Sequence, residues 1–130
     1  MSINISPKNM EVHVPYFDDI VILVLRQCST EETFQYLKIL KENEGKTISD
    51  PSCYSARIEF LDSVLIDIKA LNFEGNPESI NFTDPETGED KILNSQVSDW
   101  KNHINEIIKL RGLTGFEQEY FNAEPAKLKN

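Results

Sequence analysis

Six consecutive apolar residues, Ile20-Val21-Ile22-Leu23-Val24-Leu25, constrain this chain more than any other feature. The run is mostly β-branched and is bounded by Asp18-Asp19 before and Arg26-Gln27 after. It is too short for a membrane span of roughly 18–20 residues. It has no polar position to turn toward water, so it reads as a strand covered on both faces. The preceding Met10, Val12 and Val14 alternate with Glu11 and His13, which is the period of a half-buried strand. Pro15-Tyr16-Phe17-Asp18-Asp19 supplies turn residues between the two. The N-terminal third therefore predicts a β-hairpin.

After Gln27 the period changes. Ser29 followed by Glu32 is a capping box. Phe34, Leu37 and Leu40 recur at helical spacing, and Gly45 is placed to end that helix. Asp50-Pro51 is a second start signal, with Asp as N-cap and Pro in the first helical position. Behind it Ala56, Phe60, Leu61, Val64, Leu65, Ile68 and Leu71 fall on one stripe, predicting a helix from Pro51 to Leu71 about 31 Å long. The stretch Asn72 to Asp90 contains Gly75, Pro77, Pro85 and Gly88 and excludes a helix; Ile80-Asn81-Phe82 is expected to pair with Lys91-Ile92-Leu93 as a small second hairpin. Ser95 or Ser98 opens a third main helix lined by Val97, Trp100, Ile104, Ile107 and Ile108, which Gly112 is expected to close. Thr114 and Glu117 suggest another capping box, starting a short helix with Phe116, Tyr120 and Phe121.

These patterns predict an α+β fold with an N-terminal β-hairpin packed on three main helices, forming one domain over residues 1–124 with a flexible tail at 125–130. Phe60, Val64, Leu65 and Ile68 are expected to meet Trp100, Ile104 and Ile107 in the core.

Composition limits the function. Of 130 residues, 22 are acidic and 13 basic, a net charge of −9. Phosphate contacts need clustered Lys and Arg, so nucleic acid is not the expected partner. No basic region followed by an apolar stretch opens the chain, and the expected compartment is the cytoplasm. Cys28 and Cys53 are then expected to be free thiols.

Specific chemistry finds little support. His13 and His103 are the only histidines. Asp99 and His103 fit one helix face, but a metal site or a triad needs further converging groups. Asp84 to Asp90 resembles a calcium loop, yet its Gly falls at position five and Ser95 occupies position twelve, where such a loop needs Gly at six and Glu at twelve. Cys28 precedes a helix N-terminus, which lowers a thiol pKa, but no base accompanies it. Gly112-Leu113-Thr114-Gly115 follows a helix rather than a strand, the wrong context for phosphate. No catalytic residue, cofactor or metal is therefore expected. Phe116, Tyr120 and Phe121 are either the last closure of the core or an exposed partner-binding face.

The order of parts resembles the small tail assembly chaperones of long-tailed bacteriophages. The similarity spans residues 10–122. It includes the hairpin, the Ser29-Thr30-Glu31-Glu32 helix start and the Ala56-to-Asp67 segment. It continues through the Gly/Pro/Asp loop before Val97-Ser98-Asp99-Trp100, the Ile104-to-Leu110 helix and Leu113-Thr114-Gly115-Phe116-Glu117. The resemblance implies a non-enzymatic protein of the host cytoplasm that coats the long helical tape measure protein until the tail tube protein displaces it. It assigns no functional residue and leaves homo-oligomerisation open. Two other readings stay open: a hydrolase using two carboxylates from distant segments, and a host-directed inhibitor or other small protein-binding module.

Overall fold

The computed structural model describes residues 2, 3, 5, 6, 8–46 and 50–122. The side chain of Cys53 and the stretch read as a tail lie outside the described residues. The fold is α+β: an antiparallel hairpin, three α-helices, a second small sheet and a short helical turn at the C-terminal end.

The apolar run forms β2 (Asp19–Leu25), paired antiparallel with β1 (Met10–Tyr16) in the register Val12↔Leu23 and Val14↔Val21. The connection is Phe17-Asp18, with Phe17 in the left-handed region at φ 55. Val21 through Leu25 are all buried, as a strand without polar positions requires. One face of the sheet, carrying Val12, Val14, Val21, Leu23 and Leu25, meets the helices. On the other face Ile22 and Val24 lie between Glu11 and His13 of β1 and their partners Asp67 and Lys69 on the far side. Lys69 reaches over β2 to Glu11 at 2.7 Å.

That far side is β3 (Leu65–Leu71), which corrects the expected 31 Å helix. Helix α2 covers only Ser52–Val64, and the chain passes into β3 at Leu65, whose backbone is extended at φ −74, ψ 123. The Val64 carbonyl accepts from Arg26 N–H, so the end of β2 holds the end of α2. The misreading has a definite cause. A β-bulge pairs Leu25 with Leu65 and Val24 with Asp67, leaving Ile66 as the extra residue. The bulge keeps Leu65 and Ile68 on the same face although they are three residues apart. Three is also helical spacing, so the stripe ran on unbroken in sequence. A central strand covered by neighbours on both edges supplies what local pattern did not: β2 needs a second partner. The order is β1-β2-β3-β4, with β4 (Pro77–Glu78) adding two residues against Ala70 and Leu71.

Helix α1 (Thr30–Glu42) begins at the expected capping box. Ser29 Oγ accepts from Glu32 N–H at 3.1 Å and Glu32 Oε1 accepts from Ser29 N–H at 2.9 Å. The expected second hairpin is present as β5 (Ile80–Thr83) and β6 (Asp90–Leu93), in register Ile80↔Leu93 and Phe82↔Lys91. Helix α2 starts one residue later than read, with Pro51 rather than Asp50 at the cap position, and Asp50 Oδ1 accepts from Ser52 N–H just before it.

The last helix differs from expectation at both ends. Trp100–His103 is a 3-10 turn, and α3 runs from Glu106 to Glu117. Asn105 is its cap, accepting from Ile107 N–H at 2.8 Å. The segment from Asn94 to Asn105 is rich in Asn, Ser and Asp, whose side chains hold the backbone locally instead of letting a helix run; Asn94 accepts from Gln96 N–H in this way. Neither Gly112 nor Thr114 interrupts α3. Thr114 Oγ1 donates to the Leu110 carbonyl in mid-helix rather than capping a new one. The chain continues directly into a π-helical turn, Gln118–Asn122.

Gly112 and Gly115 have a different purpose. A Cβ at Gly112 would collide with Leu23 Cδ1, and one at Gly115 would lie 2.7 Å from Val12 Cγ1. The two glycines let α3 lie directly on the β1–β2 hairpin, with Arg111 donating to the Pro15 carbonyl at 2.9 Å. The core accordingly joins Phe60, Val64, Leu65 and Ile68 to Ile104, as expected. Leu23, Tyr36 and Phe116 share it, whereas Trp100 is only half-buried and Ile107 points outward at 49% exposure.

Candidate functional site

For Phe116, Tyr120 and Phe121 the sequence leaves two readings, core closure or a partner-binding face. Phe116 is fully buried, with its ring edge-on to Tyr36 at 5.4 Å. Phe121 stacks on Tyr36 at 4.9 Å and 18°, and the Tyr120 hydroxyl accepts from Cys28 N–H at 3.1 Å. Tyr120 and Phe121 keep partial exposure. Phe116 therefore closes the core and presents nothing to a partner. The cluster encloses a polar node. Arg57 donates to both carboxylate oxygens of Glu117, at 2.6 and 2.9 Å, and the Tyr36 hydroxyl donates to the same carboxylate. Burial pushes the Tyr36 hydroxyl well above the ordinary phenol range, and the hydrogen bond to Glu117 holds the Arg57 guanidinium charged. Every group of the node is committed to another, which fastens α1, α2 and α3 together.

The remaining sequence candidates take structural roles. Cys28 is partly buried, and burial pushes its thiol up rather than down, the reverse of nucleophile activation. The ring of His103 stacks on Phe82 at 4.3 Å. The loop that resembled a calcium site is a closed turn. Asp84 pairs with Lys91 at 2.7 Å and accepts from Glu86 N–H, and Gly88, at φ 73, donates its N–H to the Asp84 carbonyl. Among the described residues no group of three or more His, Cys, Asp or Glu is placed to hold a metal ion. No helix among them is long and apolar enough to cross a membrane.

Two concave regions stand out. The first is a groove of about 590 Å³ between α2 and α3, lined by Pro51, Tyr54, Ile58, Ile104 and Leu110, with Glu106 and Lys109 at its polar side. Lys109 is anchored to Asp62 at 3.1 Å. The exposed Ile107 lies one turn before Leu110 on α3. The groove is apolar in the middle and charged beside it, the pattern that receives an amphipathic helix. The sequence contained Ile104 and Leu110 as parts of a stripe, but it did not signal Tyr54 or Ile58, because a groove exists only once two helices are placed.

The second is a cleft of about 560 Å³ between the main sheet and the second hairpin. Val21, Ile68, Leu93 and Ile104 form its apolar side, and Asp19 and Glu78 stand on its wall. Glu78 hydrogen-bonds with Asp19, and this pushes its carboxyl above the ordinary range. The pair comes from segments 59 residues apart and left no trace in the sequence.

Comparison of the chain with protein-family models, with curated proteins and with solved structures finds no match.

Proposed function

We propose that this protein is a non-enzymatic assembly chaperone of a long-tailed phage, which covers the helical tape measure protein until the tail tube protein replaces it. The observation that carries the reading is the α2/α3 groove. A tape measure helix has an apolar face that aggregates when uncovered. The groove lined by Tyr54, Ile58 and Leu110 offers such a face an apolar surface to pack on. The net charge of −9 then keeps the coated complex soluble by repulsion between complexes. Release to tube subunits calls for weak binding per copy with coverage from many copies. The test is co-expression with a tape measure helix. Soluble complex is expected with the native chain and lost with Tyr54→Ala/Leu110→Ala, while circular dichroism of the variant stays native. Binding that persists in the double variant refutes the groove, and a tape measure that stays insoluble beside the native chain refutes the chaperone role.

One observation favours a second reading, a carboxylate-dependent hydrolase: Asp19 and Glu78 converge at a cleft, with one carboxyl raised in pKa. Turnover of a hydrolysable substrate that disappears in both Asp19→Asn and Glu78→Gln would establish it.

A further inference from the structure

Helix α1 has two faces of different fate. Tyr36, Ile39 and Leu40 turn inward, and Tyr36 is fully buried. Thr30, Glu31, Phe34, Leu37, Lys38 and Lys41 are all exposed, and at 100° per residue they share the opposite face. Phe34 is 66% exposed and Leu37 45% exposed. Two large apolar side chains three positions apart on one helix form a contiguous unpartnered patch.

The charges around the patch are ordered. Glu31 lies at its N-terminal end and Lys38 and Lys41 at its C-terminal end. Lys38 has a long 4.0 Å contact to Glu42 in the same helix. Among the described residues Glu31 and Lys41 have no ion-pair partner. An acid at one end, bases at the other and apolar residues between them make the face complementary to itself when it is reversed.

We propose that the outward face of α1 is a two-fold interface between copies of this chain, with the two α1 helices antiparallel. A two-fold axis midway between Phe34 and Leu37 sets Phe34 of one copy on Leu37 of the other. With a rise of 1.5 Å per residue, Glu31 then lies within about 2 Å, along the axis, of Lys41 in the partner copy, and the symmetry repeats that pair at the other end. Opposed helix dipoles favour the same orientation. An isologous contact of this kind closes at two copies, leaving the α2/α3 groove of each free. The inference stands independently of the tape measure reading, because it concerns the chain with itself.

The test is sedimentation equilibrium of the full chain, wild type and variants, with circular dichroism to confirm folding. The wild type is expected to dimerise reversibly. Phe34→Glu is expected to abolish the dimer while remaining folded, since the side chain is exposed. Lys41→Glu and Glu31→Lys are each expected to weaken it by about tenfold, because each change alters two symmetric pairs. The combined Glu31→Lys/Lys41→Glu variant restores the dimer, because the swapped charges face each other again. A wild type that stays monomeric up to about 1 mM overturns the proposal. A dimer that survives Phe34→Glu, or single reversals that fail to compensate when combined, overturns it equally.

Discussion

Helices α1 and α3 carry apolar residues at the same kind of spacing and meet opposite fates. On α3, Ile108, Leu113 and Phe116 are buried in the core, and Gly112 and Gly115 bring the helix backbone down onto Leu23 and Val12. On α1, Tyr36 alone is fully buried, while Phe34 and Leu37 stand in solvent. Periodicity states that a helix has an apolar side. It does not state what covers that side. On α3 the missing side chains of two glycines allow the close approach; α1 instead reaches the core through Tyr36 and its hydroxyl, with Ile39 and Leu40 packed beside it.

The largest expected effect separates these two fates directly. Phe116→Ala removes a fully buried ring in contact with four other aromatics and should cost about 3–5 kcal/mol. Phe34→Ala, on the open face, should change stability by no more than about 0.5 kcal/mol. Urea denaturation of both variants checks the contrast, and similar losses for the two would erase it.

Next comes the node that ties the helices to one another. Glu117→Gln leaves the Arg57 guanidinium facing an amide and deprives the Tyr36 hydroxyl of a charged acceptor. Removing one partner of a buried pair is costly, and about 3 kcal/mol is expected at neutral pH. An effect under about 1 kcal/mol would mean that solvent reaches the pair and that aromatic packing alone holds α1 in place.

A smaller effect has an informative sign. Gly→Ala in an exposed helix stabilises by about 1 kcal/mol through propensity. Gly112→Ala should instead destabilise by about 1–2 kcal/mol, because the added methyl falls on the Leu23 Cδ1 methyl, and a fully buried side chain must then shift within a packed core. Thermal denaturation gives the sign at once. A gain in stability would show that α3 rides higher on the hairpin than the close approach of Gly112 and Gly115 requires.

Much of this fold was legible in sequence, and the failures share a cause. The hairpin, the Ser29–Glu32 box and the β5–β6 pairing depend on residues near one another in the chain, and each was found where its local pattern placed it. The α2-to-β3 transition was hidden because the bulge at Ile66 gave Leu65 and Ile68 helical spacing inside a strand. Gly112 read as a helix stop because that is what glycine means locally; its actual role depends on Leu23, 89 residues away. The candidate surfaces were less legible still. The α2/α3 groove, the Asp19–Glu78 pair and the outward turn of Phe34 all depend on where whole elements settle, and no single segment encodes that.

The smallest expected effect tests the one part of α1 that was fully legible, its N-terminus. Glu32 accepts from the Ser29 N–H and pairs in two places with the Arg26 guanidinium, at 2.8 and 2.6 Å. Arg26 first, and the Ser29 N–H after it, lower the Glu32 carboxyl from 4.5 to about 2. A depressed carboxylate pKa means that the folded state binds the proton less readily than the unfolded one. The stabilisation is therefore complete above about pH 4.5 and is lost as the pH falls through about 2. The Glu32 side chain is 24% exposed and Arg26 41%, so solvent screening holds the contribution below about 1 kcal/mol. Glu32→Gln keeps an acceptor for the Ser29 N–H but removes the charge. Its urea midpoint should lie slightly below wild type at pH 7, and the two should converge between pH 4.5 and 2. A gap that persists at pH 2 would assign the effect to the geometry of the cap, whereas a gap that closes assigns it to the ion pair that fastens α1 to the end of β2.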